Sequence, residues 1–481
     1  MKLQTFFRKL GYETTDYENM KPYIETWNSW YKSNVPAFQN YYIYNGNKKV
    51  LKTRKTVGMA KKICEDFADL LLNEKVTFNI GKEKESERVN QILDENDFYV
   101  LANKSIEKVC WSGTGMFVLS IKDLTYDTNT QIMKAESDSK LKIEFVTADK
   151  IIPLSYDGNK ITECAVITIK TINSQKYLYI NIHKKNETGN YIIENYMFKL
   201  NKNGDIQQEV NLDNTLKVID TLGSHPWFSP LKLNIENNIY DDSPYGMSVY
   251  ANAIDIMKAL DIVFDSLSNE FILGRKRIFV KSDLLKPDVT TGELKLVFDE
   301  NEIVFHALPE NDNKDGKDIT ESDMKLRVEE HEKAMQLILD LLSSKVGLGD
   351  KYYEFRKTGI TTATQVISEN SDLFRTIRKH EIAIENCLYD LFKSILYILN
   401  TFFNENLDEN AEISINFDDS IIEDMTEIKR QALVEYNAGL IDDIEYYKRV
   451  YKMTDKQAEN FKKDLSDRKI EEPIKKEFDE E

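Results

Sequence analysis

The chain has 481 residues, 41% hydrophobic and 30% charged, with a formal net charge of -18. At about 100–200 residues per domain, that length implies two to four domains with enough apolar residues for a real core. A dedicated nucleic-acid reader carries a basic face and a high pI, so the acidity excludes tight phosphate binding as the main task, though not a DNA-handling role in which sticking would be a fault. Four cysteines, Cys64, Cys110, Cys164 and Cys387, are scattered without a C-x-x-C pair, the pattern of buried thiols in a reducing compartment. The N-terminal segment has no apolar h-region, and no run reaches the ~18 apolar residues of a membrane helix. The most apolar stretch, Leu388 to Phe403, is broken by Asp390, Lys393 and Asn400. A cytosolic protein with no membrane contact is expected.

Residues 16–45 are dense in aromatics, and Tyr23, Trp27, Trp30 and Tyr31 are spaced for one helical face that docks on a core. Residues 56–73 repeat that period through Met59, Ile63, Phe67, Leu70 and Leu71, and 86–108 read as one or two more helices. From about 114 to 220 short alternating runs appear, MFVLSI, KLKIEFV, ECAVITIK, KYLYINI and YIIENYMFKL, several of them separated by Asp-Gly, Glu-Thr-Gly or Asn-Gly-Asp. This is hairpin grammar and predicts an antiparallel sheet in an α+β domain.

Residues 244–274 predict a long helix that starts at Pro244 and stops at Gly274. Its stripe is Met247, Tyr250, Ile254, Met257, Leu260, Phe264, Leu267 and Phe271, with Asp255, Lys258, Asp261, Asp265 and Glu270 on the other faces. Short strands follow over 275–320, and PENDNKDGKD reads as an exposed loop. A second helix covers 321–345, and the Gly-punctuated breaker VGLGDKYYEFRKTGI precedes a third helix from about Thr361 to Phe403. AEISINF at 411–417 reads as an edge strand, 420–465 as two or three short helices, and the charge-rich end around Pro473 as a disordered acidic tail.

Catalytic constellations are missing. There is no G-x-x-x-x-G-K-[ST] loop for ATP. The dipeptides His331-Glu332 and His380-Glu381 lack the second histidine of H-E-x-x-H, because Met335 and Ile384 stand there; both histidines read as solvated helix residues. His183, His225 and His306 have no neighbours at ligand spacing, and Gly246-Met247-Ser248-Val249-Tyr250 lacks the closing glycine of a nucleophile elbow. The acidic pairs Asp241-Asp242 and Asp418-Asp419 read as helix-start partners rather than metal ligands. The short basic clusters Arg275-Lys276-Arg277, Lys52-Arg54-Lys55 and Arg356-Lys357 read as solvated patches or subunit contacts, or else as transient phosphate contacts. No catalytic residue, metal site or cofactor is expected.

The order of elements says more than any motif. A long amphipathic helix, a small strand module and a returning helix make an extended hairpin, which cannot bury its stripe alone but can do so against copies of itself around an axis. WNSWYKSNVPAFQNYY at 27–42, RKTVGMAKKICEDFADLLLNEKV at 54–76, SPYGMSVYANAIDIMKALDIVFDSLSNEFILGRKRIFV at 243–280, GLGDKYYEF at 347–355, TATQVISENSDLFRTIRKHE at 362–381 and NAGLIDDIEYYKRVY at 437–451 resemble, in this order, the portal proteins of tailed phages. The resemblance is specifically to the siphovirus-type branch from phages of Gram-positive bacteria.

The resemblance implies an α+β, mainly α-helical portal fold assembling as a ring with a central channel. In it, 1–242 is the wing, 243–273 a stem helix, 274–324 the clip, 325–345 the second stem helix, 346–361 a tunnel loop, 362–415 the long wing helix and edge strand, 416–470 the crown, and 471–481 the tail. It further implies a twelve-subunit ring at one capsid vertex of the virion, assembled in the host cytoplasm. The partners are double-stranded DNA, the terminase large subunit, a head–tail adaptor, and the major capsid protein and scaffold.

On that placement Asp255, Asp261, Asp265 and Glu270 line the channel. Asp350, Lys351, Tyr352, Tyr353, Arg356 and Lys357 meet DNA, and Arg275, Lys276 and Arg277 meet adaptor or terminase. A metal-dependent nuclease or terminase component, and a scaffold with no DNA role, are the alternatives that the residues leave open.

Overall fold

The computed structural model describes residues 1–45, 48–72, 76–127, 132–211, 216–274, 277–281, 305–308, 319–322, 325–354, 363–417 and 425–451, together with 453, 458–459, 461–463 and 465. The chain divides into two compact units, each assembled from separated stretches. The first comprises Met1–Phe67, Ser105–Val118 and Glu144–Lys357; the second comprises Ala68–Lys104, Leu119–Ile143 and Thr358–Glu481.

In chain order the elements begin with α1 (Leu3–Lys9), α2 (Thr15–Tyr31), α3 (Pro36–Gln39), β1 (Asn40–Asn45), β2 (Lys48–Thr53), α4 (Met59–Leu71), β3 (Thr77–Ile80), α5 (Glu83–Glu95) and α6 (Phe98–Ser112). A run of strands follows: β4 (Thr114–Asp127), β5 (Ile132–Thr147), β6 (Ile151–Asp157), β7 (Lys160–Ile172), β8 (Gln175–Lys185), β9 (Tyr191–Leu200), β10 (Ile206–Glu209), β11 (Val218–Asp220) and β12 (Phe228–Lys232). Then come α7 (Ile254–Leu273), β13 (Arg277–Lys281), β14 (Phe305–Leu308), β15 (Ile319–Ser322), α8 (Val328–Val346), α9 (Ala363–Phe403), β16 (Ile413–Asn416), α10 (Met425–Asn437) and α11 (Asp443–Tyr451). The class is mixed α+β.

In the first unit the alternating runs form an antiparallel sheet in the order β10-β9-β8-β7-β6, with β11 also paired to β9. The β7–β8 pairing runs from Cys164↔His183 to Ile172↔Gln175. A smaller sheet is ordered β12-β4-β5. One face of the sheets closes over Met116, Ile151, Ile161, Cys164 and Phe228. In α2 the positions Tyr17, Met20, Ile24, Trp27 and Trp30 recur every three or four residues and all five are buried; of the face expected from the sequence Trp27 and Trp30 belong to it, whereas Tyr23 is exposed and Tyr31 only half-buried.

Residues 243–250 correct the expected helix start. The helix α7 begins at Ile254, after a short 3-10 turn, and Ser243 to Tyr250 form a buried irregular segment. A buried segment without a helical ladder must pair its backbone groups elsewhere, and the end of α6 and the start of β4 supply the partners. Gly246 N donates to Thr114 Oγ1 at 2.8 Å, and Val249 N to Cys110 O at 2.9 Å. The side chains of Tyr245 and Tyr250 donate in turn to Ile151 O and Trp27 O. The backbones touch at two glycines: a Cβ on Gly113, whose φ is +76°, would lie 2.6 Å from Gly246 O.

In the second unit α9 is the long helix expected from the sequence. Phe392 on α9 packs edge-on against Phe78 of β3, 5.2 Å between ring centroids. The chain leaves α9 through a turn held by Asn400, whose side chain accepts from Leu407 N and donates to Leu407 O, each at 2.9 Å. β16 then pairs antiparallel with β3 through Ile413↔Ile80 to Asn416↔Thr77, so the strand read at 411–417 is present. Arg88 of α5 donates to Glu405 at 2.8 Å beside it. All four cysteines are buried and free, as expected. The charged end at 471–481 and the strand run at 293–298 lie outside the described residues.

The glycine crossing makes a direct prediction. Gly113→Ala adds left-handed strain of about 1–2 kcal/mol to a clash with backbone, so its unfolding midpoint is expected to fall by at least about 2 °C. A thermal melt with an unchanged midpoint contradicts the crossing.

Candidate functional site

The candidate site is the helix pair α7–α8 with the segment that follows it. Two sets of contacts show the helices to be antiparallel. At one end the short turn preceding α7 packs against α8. At the other, Glu270 near the end of α7 accepts from Arg327 N at 3.0 Å and Arg327 Nε at 2.5 Å, and pairs with His331 Nε2 at 3.4 Å. In sequence between the two helices, the described strands form a small sheet in which β13 runs parallel to β14 and antiparallel to β15. Burial at the helix end raises the Glu270 carboxyl, but the side-chain and backbone hydrogen bonds of Arg327 outweigh it and hold the group below its usual value.

The four acids expected along a channel separate into three environments. Asp255 is open, its side chain 92% exposed and paired only with Lys258. Glu270 is tied into the clamp with Arg327 and His331, so its charge is matched within the subunit. Asp261 and Asp265 are corrections: they are buried, with relative exposures of 5% and 8%. Asp261 accepts from Val57 N at 2.8 Å. Asp265 accepts from Lys55 N at 3.1 Å, Tyr41 Oη at 2.9 Å and Asn269 Nδ2 at 3.1 Å. These carboxylates hold the stretch after β2 against α7 and do not line an open surface. The inward face of α7 therefore mixes Met257 and Leu260 with two acids, while Phe271, expected on the apolar stripe, is 50% exposed.

The segment after α8 is built to turn. Gly347 ends the helix in the left-handed region at φ +84°, and its N–H returns to Ser344 O. Leu348 is buried, while Asp350 and Lys351 are exposed, Lys351 itself at φ +64°. Tyr352 stacks edge-on against Tyr353 with centroids 5.0 Å apart. The hydroxyl of Tyr353 donates to Asp66 Oδ2 of α4 at 2.8 Å, and Lys62 holds the same carboxylate from the other side. Burial, then the Asp66 charge, push the Tyr353 hydroxyl well above its usual pKa, so it stays a donor. Tyr353 is thus an anchor rather than free bulk.

Arg356 and Lys357 lie outside the described residues, as do Arg275 and Lys276; of Arg277 only the strand pairing to Ser322 is described. Asp241 and Asp242 are exposed, and Asp418 and Asp419 lie outside the described residues. The two histidines read as solvated are not: His331 joins the Glu270 clamp, and His380 is buried with its pKa lowered to about 4, first by burial and then by Lys379.

Sequence reasoning missed Arg327, His331, Asp66 and Tyr41 as partners. All are distant in sequence from what they bind, and only the i,i+4 spacing of Asp261 and Asp265 hinted that two acids share one face. Among the described residues, no group of His, Cys, Asp and Glu is arranged to hold a metal ion, and no helix is long and apolar enough to cross a membrane.

The described elements are thus an antiparallel helix pair, three short strands between the two helices in sequence, and a Gly-ended turn after the second. The family model described as phage portal protein, SPP1 Gp6-like, matches residues 10–471, and the chain belongs to that family. The family is structural rather than enzymatic. No curated protein matches the chain.

The Asp261 clasp has a pH signature. Burial pushes its pKa from 3.8 up to about 6, against the opposing pull of the Val57 N–H and Arg54. The folded state therefore holds this proton more tightly than the unfolded chain, and the group's contribution to stability falls as pH rises from about 4 to about 6. Asp261→Asn keeps an acceptor for Val57 and removes the titration. Relative to the parent, its unfolding midpoint is expected to improve steadily between pH 4 and 6. A difference that stays flat across that window contradicts a buried, titrating Asp261.

Proposed function

We propose that this chain assembles as a closed ring, about twelve copies by family resemblance, at one vertex of a phage capsid. Double-stranded DNA is driven in through the ring by a terminase and later leaves through it, and a head–tail adaptor docks on the ring. The capsid protein and scaffold surround it in the virion. The family match over 10–471 supports the portal role in general.

The observation that carries self-assembly is the second apolar side of the helix pair. Met335, Leu339, Leu342 and Val346 of α8 are buried within the subunit, while Leu337 and Leu341, one turn apart, are 71% and 56% exposed. On α7, Ile262 and Phe271 are 48% and 50% exposed. A monomer rarely leaves such helical faces bare, and helix packing between neighbouring copies covers them.

In this reading Asp255 faces the channel, where its carboxylate, 92% exposed and paired only with the surface Lys258, keeps an acidic group toward the passing phosphates. Asp350, Lys351 and Tyr352 meet DNA as exposed residues of the turn, and Arg356 and Lys357 continue that basic stretch in sequence. Arg275, Lys276 and Arg277 follow α7 in sequence and are the residues offered to adaptor and terminase.

Purified protein viewed by native mass spectrometry and negative-stain imaging is expected to show closed rings with a central hole. The double variant Leu337→Lys/Leu341→Lys is expected to stay folded, because neither side chain is in the core, and to lose the rings. Rings that survive both substitutions, or a parent chain that stays monomeric at high concentration, overturn this assembly. Asp255→Lys in an otherwise complete packaging reaction is expected to leave rings intact and reduce the DNA packaged; unchanged packaging removes Asp255 from the channel wall.

A further inference from the structure

We propose that the β1–β2 hairpin is an arm that docks on a neighbouring copy of this chain through Tyr42, Tyr44 and Leu51. The inference rests on the ring reading above and adds a second contact outside the helix pair.

Among the described residues β1 and β2 form a two-stranded sheet of their own. A lone hairpin is marginal in water, and open strand edges are normally covered. In the antiparallel register Tyr42 stands opposite Leu51 and Tyr44 opposite Lys49, so these four share one face. Tyr42, Leu51 and Tyr44 are 65%, 54% and 71% exposed. Tyrosine and leucine side by side on an uncovered face have the composition of an interface core rather than of a solvated strand.

The root of this arm is rigid. Tyr41 and the backbone of Lys55 are bonded to Asp265, and Val57 N to Asp261. Arg54 N donates to Gln39 O at 2.7 Å, and the Arg54 guanidinium lies over the rings of Phe38 and Tyr41. An arm fixed at its base loses little freedom when its face is covered, which favours docking.

Charge identifies the occupant. Residues 40–55 hold five of the chain's 64 basic side chains and none of its 82 acidic ones. The surface complementary to this basic arm is therefore present on every other copy of the same acidic chain. DNA is the other anionic candidate, and the exposed face fits it less well. Its one lysine, Lys49, lies over the rings of both Tyr42 and Tyr44, at 5.8 and 5.9 Å from their centroids, and Arg54 is engaged at the root by Phe38 O. A backbone-tracking surface needs several free cations in a row.

The test compares the full-length parent with Tyr42→Ser/Tyr44→Ser/Leu51→Ser at equal concentration by native mass spectrometry. The parent is expected to form rings. The triple variant is expected to keep its far-UV spectrum as a folded monomer while its ring population falls at least about tenfold, equivalent to the loss of about 1.4 kcal/mol. Equal ring populations in parent and variant overturn the arm but leave the ring reading standing; a parent without rings overturns both. Should the variant unfold, Tyr44→benzoyl-phenylalanine in the parent decides by photocrosslinking with and without double-stranded DNA. Covalent ladders of subunits are expected. Crosslinks confined to one chain, or formed only with DNA, overturn the proposal.

Discussion

Two carboxylates, Asp261 and Asp265, hold the root of the β1–β2 hairpin and the stretch after it to α7. Set one turn apart on the inner face of α7, they accept the N–H groups of Lys55 and Val57 and the Tyr41 hydroxyl. A buried carboxylate is destabilising unless hydrogen-bonded, and a backbone segment leaving a sheet needs acceptors for its donors. Each satisfies the other here. The result fixes the root of the β1–β2 hairpin, sets the entry into α4 at Met59, and fixes which side of α7 is left for solvent or for other chains.

The same logic recurs around the helix pair. Glu270 joins the end of α7 to the start of α8 through Arg327 and His331. Asp66 takes the Tyr353 hydroxyl and so ties the turn after α8 back to α4. Three polar clasps thus brace the pair along its length, at Asp261 and Asp265, at Glu270, and behind α8 at Asp66. The apolar residues left over, Leu337 and Leu341 among them, are displayed on a stiff frame. Stiffness of this kind suits an element that meets identical neighbours, because the ordering cost of association is already met within each subunit.

Much of the fold was legible in the sequence. Alternation with Asp-Gly and Asn-Gly turns marked the antiparallel strands, and the 3.6-residue period marked α2, α4, α9 and the body of α8, whose expected first residues Glu321 and Ser322 pair in β15 instead. The errors have physical reasons. Periodic apolar residues at 244–250 are buried in an irregular segment, because Cys110 O and Thr114 Oγ1 offer it hydrogen-bond partners, and Gly113 room for its backbone, that no local pattern reveals. Asp261 and Asp265 look like outward charges in the sequence because acids usually are; their acceptor role depends on a segment some 200 residues earlier in the chain. His331 and His380 were assigned to solvent for the same reason. The site was legible as an arrangement of elements and not as a set of side chains.

The most direct measurement is a cryo-electron microscopy reconstruction of the assembled particle at side-chain resolution. It is expected to show a closed ring whose channel is walled by α7 and α8. Asp255 should face the axis, Asp261 should remain bonded within its own subunit, and Leu337 and Leu341 should be buried between neighbours. An open assembly, or a channel walled by other elements with the α7–α8 pair facing solvent, would contradict the account.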